Sequence, residues 1–313
     1  MNKISFLALV CVLQLTLWSC DNNVLTPNPA LQNPSKSIDS SLLKGTGNFI
    51  FSSFSPLSSK PIDIFYHIPI TATDQTPILF AFHGSERDGN YSRTALIDEA
   101  DGLNFIVIAP QFSELYYPGG DSYNLGNIFQ DGDNPSSGTL NSEEIWSFSV
   151  IEPLFDAVKK SLGSKVEKYD VFGHSAGAQF VHRYLIYKPQ ARVGKAVSAS
   201  SGWYTMLDNA ITFPYGLKAS PAEAKNLSNL FAQKLFIIVG EKDTDENSFG
   251  LRHNDIVDKQ GLHRFDRAQY FYTNSQAYAL ADSTLFNWQY LTLPNVGHDY
   301  IATSAAAALL LYP

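Results

Sequence analysis

The chain opens with one cation, Lys3, followed by an apolar run over residues 4–18 that stops at Ser19-Cys20. The run is too short, and wrongly flanked, for a stable membrane span. It has the charged start and apolar middle of a secretory signal. From residue 21 to about 47 the pattern dissolves into Asn, Pro, Ser and Thr without sustained period, the composition of a tether. Beyond it, short β-rich runs alternate with longer segments of helical period. Strands are predicted over 48–54, 62–68, 78–82, 105–109, 169–172, 195–199, 235–239 and 289–293. Helices are predicted over 92–100, 142–162, 176–187, 222–233, 264–281 and 300–311. Several strands are unbroken apolar runs, as strands covered on both faces should be. The pattern predicts an α/β fold, a mostly parallel eight-stranded sheet with helices on both faces. The expected domains are a signal over 1–19, a tether over 20–47 and one catalytic domain over 48–313.

Composition narrows the function classes. Hydrophobic residues are 44% of the 313, enough for a large core, and charged residues are 17%, too few for a disordered or coiled-coil chain. Thirty acids against 22 bases leave a net charge of −8 with no basic block, which disfavours nucleic acid. The two cysteines, Cys11 and Cys20, both lie near the N-terminus. Leu17-Trp18-Ser19-Cys20 resembles a bacterial lipoprotein signal with Cys20 as the lipidated residue, although Trp18 is bulkier than usual there. An acylated Cys20 leaves the mature domain without disulfide, thiolate-bound zinc or cysteine nucleophile. The location expected is extracytoplasmic, with the outer membrane or cell surface ahead of the inner membrane.

The sharpest local feature is Gly173-His174-Ser175-Ala176-Gly177, set between a predicted strand and a helix carrying Phe180, Val181, Tyr184 and Leu185. That setting turns G-x-S-x-G into a nucleophile elbow, which lifts the Ser175 hydroxyl out of the sheet. A hydroxyl needs a base, and the base an orienting carboxylate. The strand 235–239 runs into Gly240-Glu241-Lys242-Asp243, and the strand 289–293 into Pro294-Asn295-Val296-Gly297-His298-Asp299. His298 is the candidate base. Asp243 is preferred as its partner over Glu241 and Asp245, and Asp299 is a local alternative. His83 and His174 read as residues that shape the site. His67, His182, His253 and His263 read as core-edge or surface histidines.

An oxyanion needs backbone N–H donors. One is expected from Ala176, the other from the loop Phe82-His83-Gly84-Ser85-Glu86-Arg87-Asp88-Gly89. With that H-G-x-x-R loop in place, residues 48 to the C-terminus resemble the α/β-hydrolase superfamily. They look most like secreted esterases of the polyhydroxybutyrate-depolymerase and feruloyl-esterase type. The resemblance implies the eight-stranded fold, a triad of Ser175, Asp243 and His298, and an oxyanion donor at Ser85, with Gly84 as the alternative.

Aromatic residues Tyr116, Tyr117 and Trp203 should lie on the active-site face, as substrate-binding residues or as packing for the loops. Asp131-Gly132-Asp133-Asn134 lacks the remaining spacing of a calcium loop and reads as a solvated acidic loop. The segment 250–272 reads as a solvated insertion at the rim, with a substrate carboxylate site at Arg252 as the alternative. No nucleotide, flavin or metal motif is found, so no cofactor and no metal site is expected. The function expected is a lipid-anchored serine esterase, acting first on ester decorations of polysaccharides and second on polyester or lipid esters. A catalytically silent glycan-binding protein and a serine peptidase are the alternatives.

Overall fold

The computed structural model describes residues 43–136 and 138–313. The signal segment, Cys20 and most of the tether lie outside them. The described residues form an eight-stranded sheet from β1 (Gly45–Phe51), β2 (Ile62–Ile68), β3 (Ile78–Phe82), β4 (Ile106–Gln111), β5 (Tyr169–His174), β6 (Val193–Ala199), β7 (Lys234–Gly240) and β8 (Gln289–Leu293). Their order across the sheet is β1-β2-β4-β3-β5-β6-β7-β8. Strand β2 runs antiparallel to both its neighbours, and every other pair is parallel. The first strand starts at Gly45, inside the stretch read as tether.

The helices are α1 (Gly89–Thr94), α2 (Ile97–Leu103), α3 (Gly119–Ser122), α4 (Ile151–Leu162), α5 (Ala176–Tyr187), α6 (Ser228–Ala232), α7 (Arg264–Ala281) and α8 (Tyr300–Leu311). Alternate residues along each strand point to opposite faces, which divides the core in two. Ile78, Phe80, Phe82, Val171, Ile237 and Val239 face α4, α5 and α7 through Phe155, Phe180 and Phe271. Leu79, Ala81, Phe172, Val197 and Ile238 face α2 and α8 through Ala100, Ala307 and Leu311.

Three predicted helices change, each for a local reason. The one expected over 142–162 begins only at Ile151, because Pro153 has no N–H and its ring would meet the carbonyl four residues earlier. Two 3₁₀ turns, Glu143–Ile145 and Ser147–Val150, take the preceding residues. The helix expected over 222–233 shrinks to α6, since Asn209 and Asn226 side chains take the N–H groups of Ala224 and Ser228. The helix expected over 92–100 starts earlier, where Asp88 accepts from Tyr91 N at 2.7 Å, and splits into α1 and α2 around buried Leu96.

Candidate functional site

Strand β5 ends in the turn that presents Ser175. The residue has φ 56° and ψ −114°, a conformation side chains avoid, and its N–H is held by Ala199 O at 2.9 Å. Glycines make the turn sterically feasible. A Cβ on Gly173 would stand 2.2 Å from the Gly177 carbonyl oxygen, and one on Gly177 would stand 2.2 Å from Phe82 O. The same constraint appears beyond β7, where a Cβ on Gly240 would meet Val296 O at 2.3 Å. That contact seats the loop carrying His298 against the loop carrying Asp243.

Asp243 is 3% exposed, and its Oδ2 lies 2.8 Å from His298 Nδ1. Its competitors are engaged elsewhere. Glu241 accepts from Thr292 Oγ1, Asp245 accepts from Asn247 N, and Asp299 caps α8 by accepting from Ala302 N. His298 also packs against His174, with ring centroids 4.4 Å apart and the rings tilted by 38°. Burial, with the charges of His298 and Arg264 adding, pushes the His174 imidazole well below its ordinary value, and a neutral ring there adds no repulsion to an imidazolium at His298. Ser175 and His298 line one cleft of about 650 Å³ together with Gly84 and Ser85. Among the described residues no hydrogen bond joins their side chains, an arrangement common before substrate tightens it.

The H-G-x-x-R loop grips one residue from two sides. His83 Nε2 accepts from Phe112 N at 3.0 Å, while Arg87 Nη1 donates to Phe112 O at 2.7 Å. His83 Nδ1 faces its neighbour's carbonyl, Gly84 O, at 2.9 Å, so the ring is neutral with its proton on Nδ1. Burial pushes this imidazole down to about 3. Tyr123 stacks on His83 and donates to His83 O at 2.7 Å, and the Arg87 guanidinium lies 4.5 Å over the Tyr123 ring. The backbone of Gly84 and Ser85 is thereby fixed beside Ser175. Ser85 lines both cavities at Ser175 and Gly84 only the larger, while Ala176 lines the smaller.

Neither a family model nor a curated protein matches the chain. Solved structures do. Poly(aspartic acid) hydrolase-1 from Sphingomonas sp. KT-1 is 38% identical, with a TM-score of 0.81, over 87% of this chain and 100% of that one. This chain belongs to its family, within the α/β-hydrolases. The poly(3-hydroxybutyrate) depolymerase from Bordetella parapertussis is 28% identical, with a TM-score of 0.79, over 86% of this chain and 91% of that one. An S-formylglutathione hydrolase from Agrobacterium tumefaciens, 16% identical with a TM-score of 0.52 over 88% and 97%, shares the fold. The protein is an enzyme, a serine hydrolase of the carboxylic ester hydrolase class.

Of the aromatic residues expected to bind substrate in this hydrolase, only Trp203 lines a cavity at Ser175. Tyr117 is 1% exposed, packs edge-on against Phe112 and donates to Lys60 O, and Tyr116 packs against the core, so both stabilise the loop. Asp131, Asp133 and Asn134 are exposed, as expected of a solvated acidic loop, and Asp133 also pairs with both terminal nitrogens of Arg252, whose guanidinium lies 5.0 Å over Trp203. His182 is fully buried and not at the surface, with Nδ1 on Ala178 O and Nε2 accepting from Thr205 N.

Four residues of the hydrolase site escape a strand-end search. Gln179 and Arg183 follow Ser175 at successive intervals of four and so share its helix face, a spacing visible in the sequence. Arg264 starts α7 and stands 3.6 Å from Asp243 Oδ1, across a connection that no local pattern reveals. Phe249, 96% exposed, sits at the mouth of both cavities.

Proposed function

We propose that this hydrolase cleaves the acyl links of oligomers and polymers outside the cytoplasm, through an acyl-enzyme on Ser175 and from a lipid anchor on Cys20. His298 takes the Ser175 proton as Oγ attacks the carbonyl carbon. The tetrahedral oxyanion is received by the N–H groups of Ala176 and Ser85. Its collapse breaks the bond to the leaving group, which departs with the proton from His298. Water, giving its proton to the same imidazole, then attacks the acyl carbon; the Oγ–acyl bond breaks, His298 returns the proton to Ser175 Oγ, and the acid is freed. Asp243 holds His298 in the tautomer that leaves Nε2 free to accept.

The observation that carries this reading is the 2.8 Å bond between Asp243 and His298, in the cleft that also contains strained Ser175. A scaffold that only bound ligand has no use for a strained serine beside a carboxylate-held imidazole. For the substrate, the two relatives named for poly(aspartic acid) and poly(3-hydroxybutyrate) favour polymers joined through acyl groups. They move the weight away from ester decorations of polysaccharides. Trp203 supports the same choice: guanidinium groups of Arg183 and Arg252 cover it at 4.1 and 5.0 Å, so it offers no open platform for a sugar ring.

The test compares 3-hydroxybutyrate oligomers, poly(aspartic acid) and an acetylated polysaccharide as substrates, with fluorophosphonate labelling alongside. Hydrolysis of one of the polymers and labelling that disappears in Ser175→Ala are expected. Labelling that survives in Ser175→Ala, or cleavage of the polysaccharide ester alone, overturns the mechanism or the substrate respectively. For the anchor, Cys20→Ser should abolish incorporation of labelled fatty acid.

A further inference from the structure

Ser175, Ser85, Arg264 and Phe249 line both the larger cavity and the smaller one, which holds about 200 Å³. They mark the border that a substrate crosses when its scissile bond lies at Ser175 and its two parts extend into the two cavities. Three of them are already engaged. Ser175 is the nucleophile, and Ser85 is the proposed oxyanion donor. Arg264 is 4% exposed, stands beside Asp243 and donates to Ser248 Oγ at 2.7 Å. Phe249 is the apolar member of the set, and neither the fold nor the serine mechanism accounts for it.

A single exposed apolar side chain is ordinary on a protein surface. Two features set Phe249 apart. The first is its place, at the border of both cavities with nearly its whole ring in water. The second is that it is held there. Leu251 N donates to Ser248 O at 3.0 Å, which closes a turn with Phe249 and Gly250 at its centre. Gly250 has φ 72°, the left-handed conformation that the third residue of such a turn can require. Both feet of the turn are braced, Ser248 by Arg264 and Arg252 by its pair with Asp133. The ring is therefore presented at the tip of a fixed turn, where only a bound molecule can bury it.

Resting on the serine-hydrolase reading above, we propose that Phe249 is a specificity-determining residue that lies against the substrate on both sides of the scissile bond and favours esters with apolar carbon in both cavities. A ring at the border touches the acyl arm and the alcohol arm together, so its contribution is largest when both arms are present. The contact is made in the bound substrate and kept in the transition state. Such uniform binding is read in KM, with kcat little changed.

Four esters test this with the full chain: methyl acetate, with neither arm; methyl butanoate, with the acyl arm; butyl acetate, with the alcohol arm; and butyl butanoate, with both. Phe249→Ala is expected to raise KM for butyl butanoate about tenfold, within the range set by burying a Phe side chain. The rise should be less than about twofold for methyl acetate, which reaches little of the ring, and intermediate for both one-armed esters. Phe249→Leu should recover most of the loss. The melting temperature should not move, because no packing is removed from the fold. A loss equal on all four esters, or a fall in kcat with a lowered melting temperature, marks a structural role and overturns the proposal, as does no loss on any. A loss seen with only one of the one-armed esters assigns Phe249 to a single cavity and overturns it too. Inactivity of the wild type on all four esters also overturns it, and absence of fluorophosphonate labelling at Ser175 as well overturns the hydrolase reading beneath it.

Discussion

The two ends of α5 carry polar residues under opposite regimes. At its start, Ser175 is held in a strained backbone conformation and its side chain faces an open cleft. Along the next two turns Gln179, His182 and Arg183 are 8%, 1% and 0% exposed; Gln179 still borders the smaller cavity, while His182 and Arg183 are enclosed by protein. The first end owes its geometry to the backbone: a strand end, two glycines that admit no Cβ, and a helix beginning at once. The second owes its geometry to side chains that satisfy one another, with His182 and Arg183 both reaching Thr205. Backbone geometry of this kind suits a bond-making atom that must sit in one place for every substrate. A buried side-chain network suits discrimination, since it changes charge and shape without moving the nucleophile.

The first end should break hardest. Ser175→Ala or His298→Ala is expected to lower kcat by roughly 10⁴–10⁶-fold on every ester, with the double variant scarcely worse, because the groups act as a unit. Asp243→Asn should cost about 10⁴-fold through the wrong tautomer of His298. Steady-state kinetics with circular dichroism to check folding decides the matter. An Asp245→Asn variant more damaging than Asp243→Asn would reassign the acid.

Next in size is the loop that carries Ser85, the proposed second oxyanion donor. Arg87 ties that loop to Phe112 O and Gly119 O and lies over Tyr123. Arg87→Met keeps much of the volume and removes the donors. The expected loss is about 10²-fold in kcat with KM little changed, on the scale of a misplaced oxyanion donor. An equal loss for esters that differ in their acyl group would mark it as damage to the shared centre; a selective loss would move Arg87 into substrate binding.

How far the sequence carries follows the same division. Strands β2, β3 and β8 and helices α5, α7 and α8 have the predicted boundaries, because alternating or buried apolar runs and strand-to-helix turns are local signals. Ser175, Asp243 and His298 are legible for the same reason, each standing where a strand ends. The smaller cavity is not. Its floor joins α5 to the loops at Asn124 and Trp203, and its wall joins Asp133 to Arg252 across 119 residues. Arg183 looks like the solvent face of an amphipathic helix when Phe180, Val181, Tyr184 and Leu185 are read as the buried face. The helix is in fact buried all round, because those loops cover its second face. Tyr117 misleads in the opposite direction, an aromatic on an active-site loop whose role is to pack that loop down.

The smallest effect concerns His182, midway along α5, and is read in stability. Burial, with the neighbouring Arg183 charge adding, pushes its imidazole well below the ordinary value. His83 and His174 are pushed down as well, His83 to about 3. In the unfolded chain each takes a proton at about pH 6.5, while in the fold it stays neutral to much lower pH. The unfolded state therefore binds more protons. The stabilisation is fully present above about pH 6.5 and is lost as the pH falls toward the folded-state values. Each histidine contributes a slope of up to about 1.4 kcal/mol per pH unit. Asp63, Asp121 and Asp170, raised chiefly by burial, take up protons in the fold and oppose this trend in the acid range. Urea unfolding between pH 5 and 6.5 should show the slope for the wild type. His182→Gln, which can still accept from Thr205 N, should be less steep by about 1 kcal/mol per pH unit, since the unfolded imidazole is only half protonated at the top of that range. An unchanged slope would mean that His182 is protonated inside the fold; the distal half of α5 would then carry a second positive charge beside Arg183.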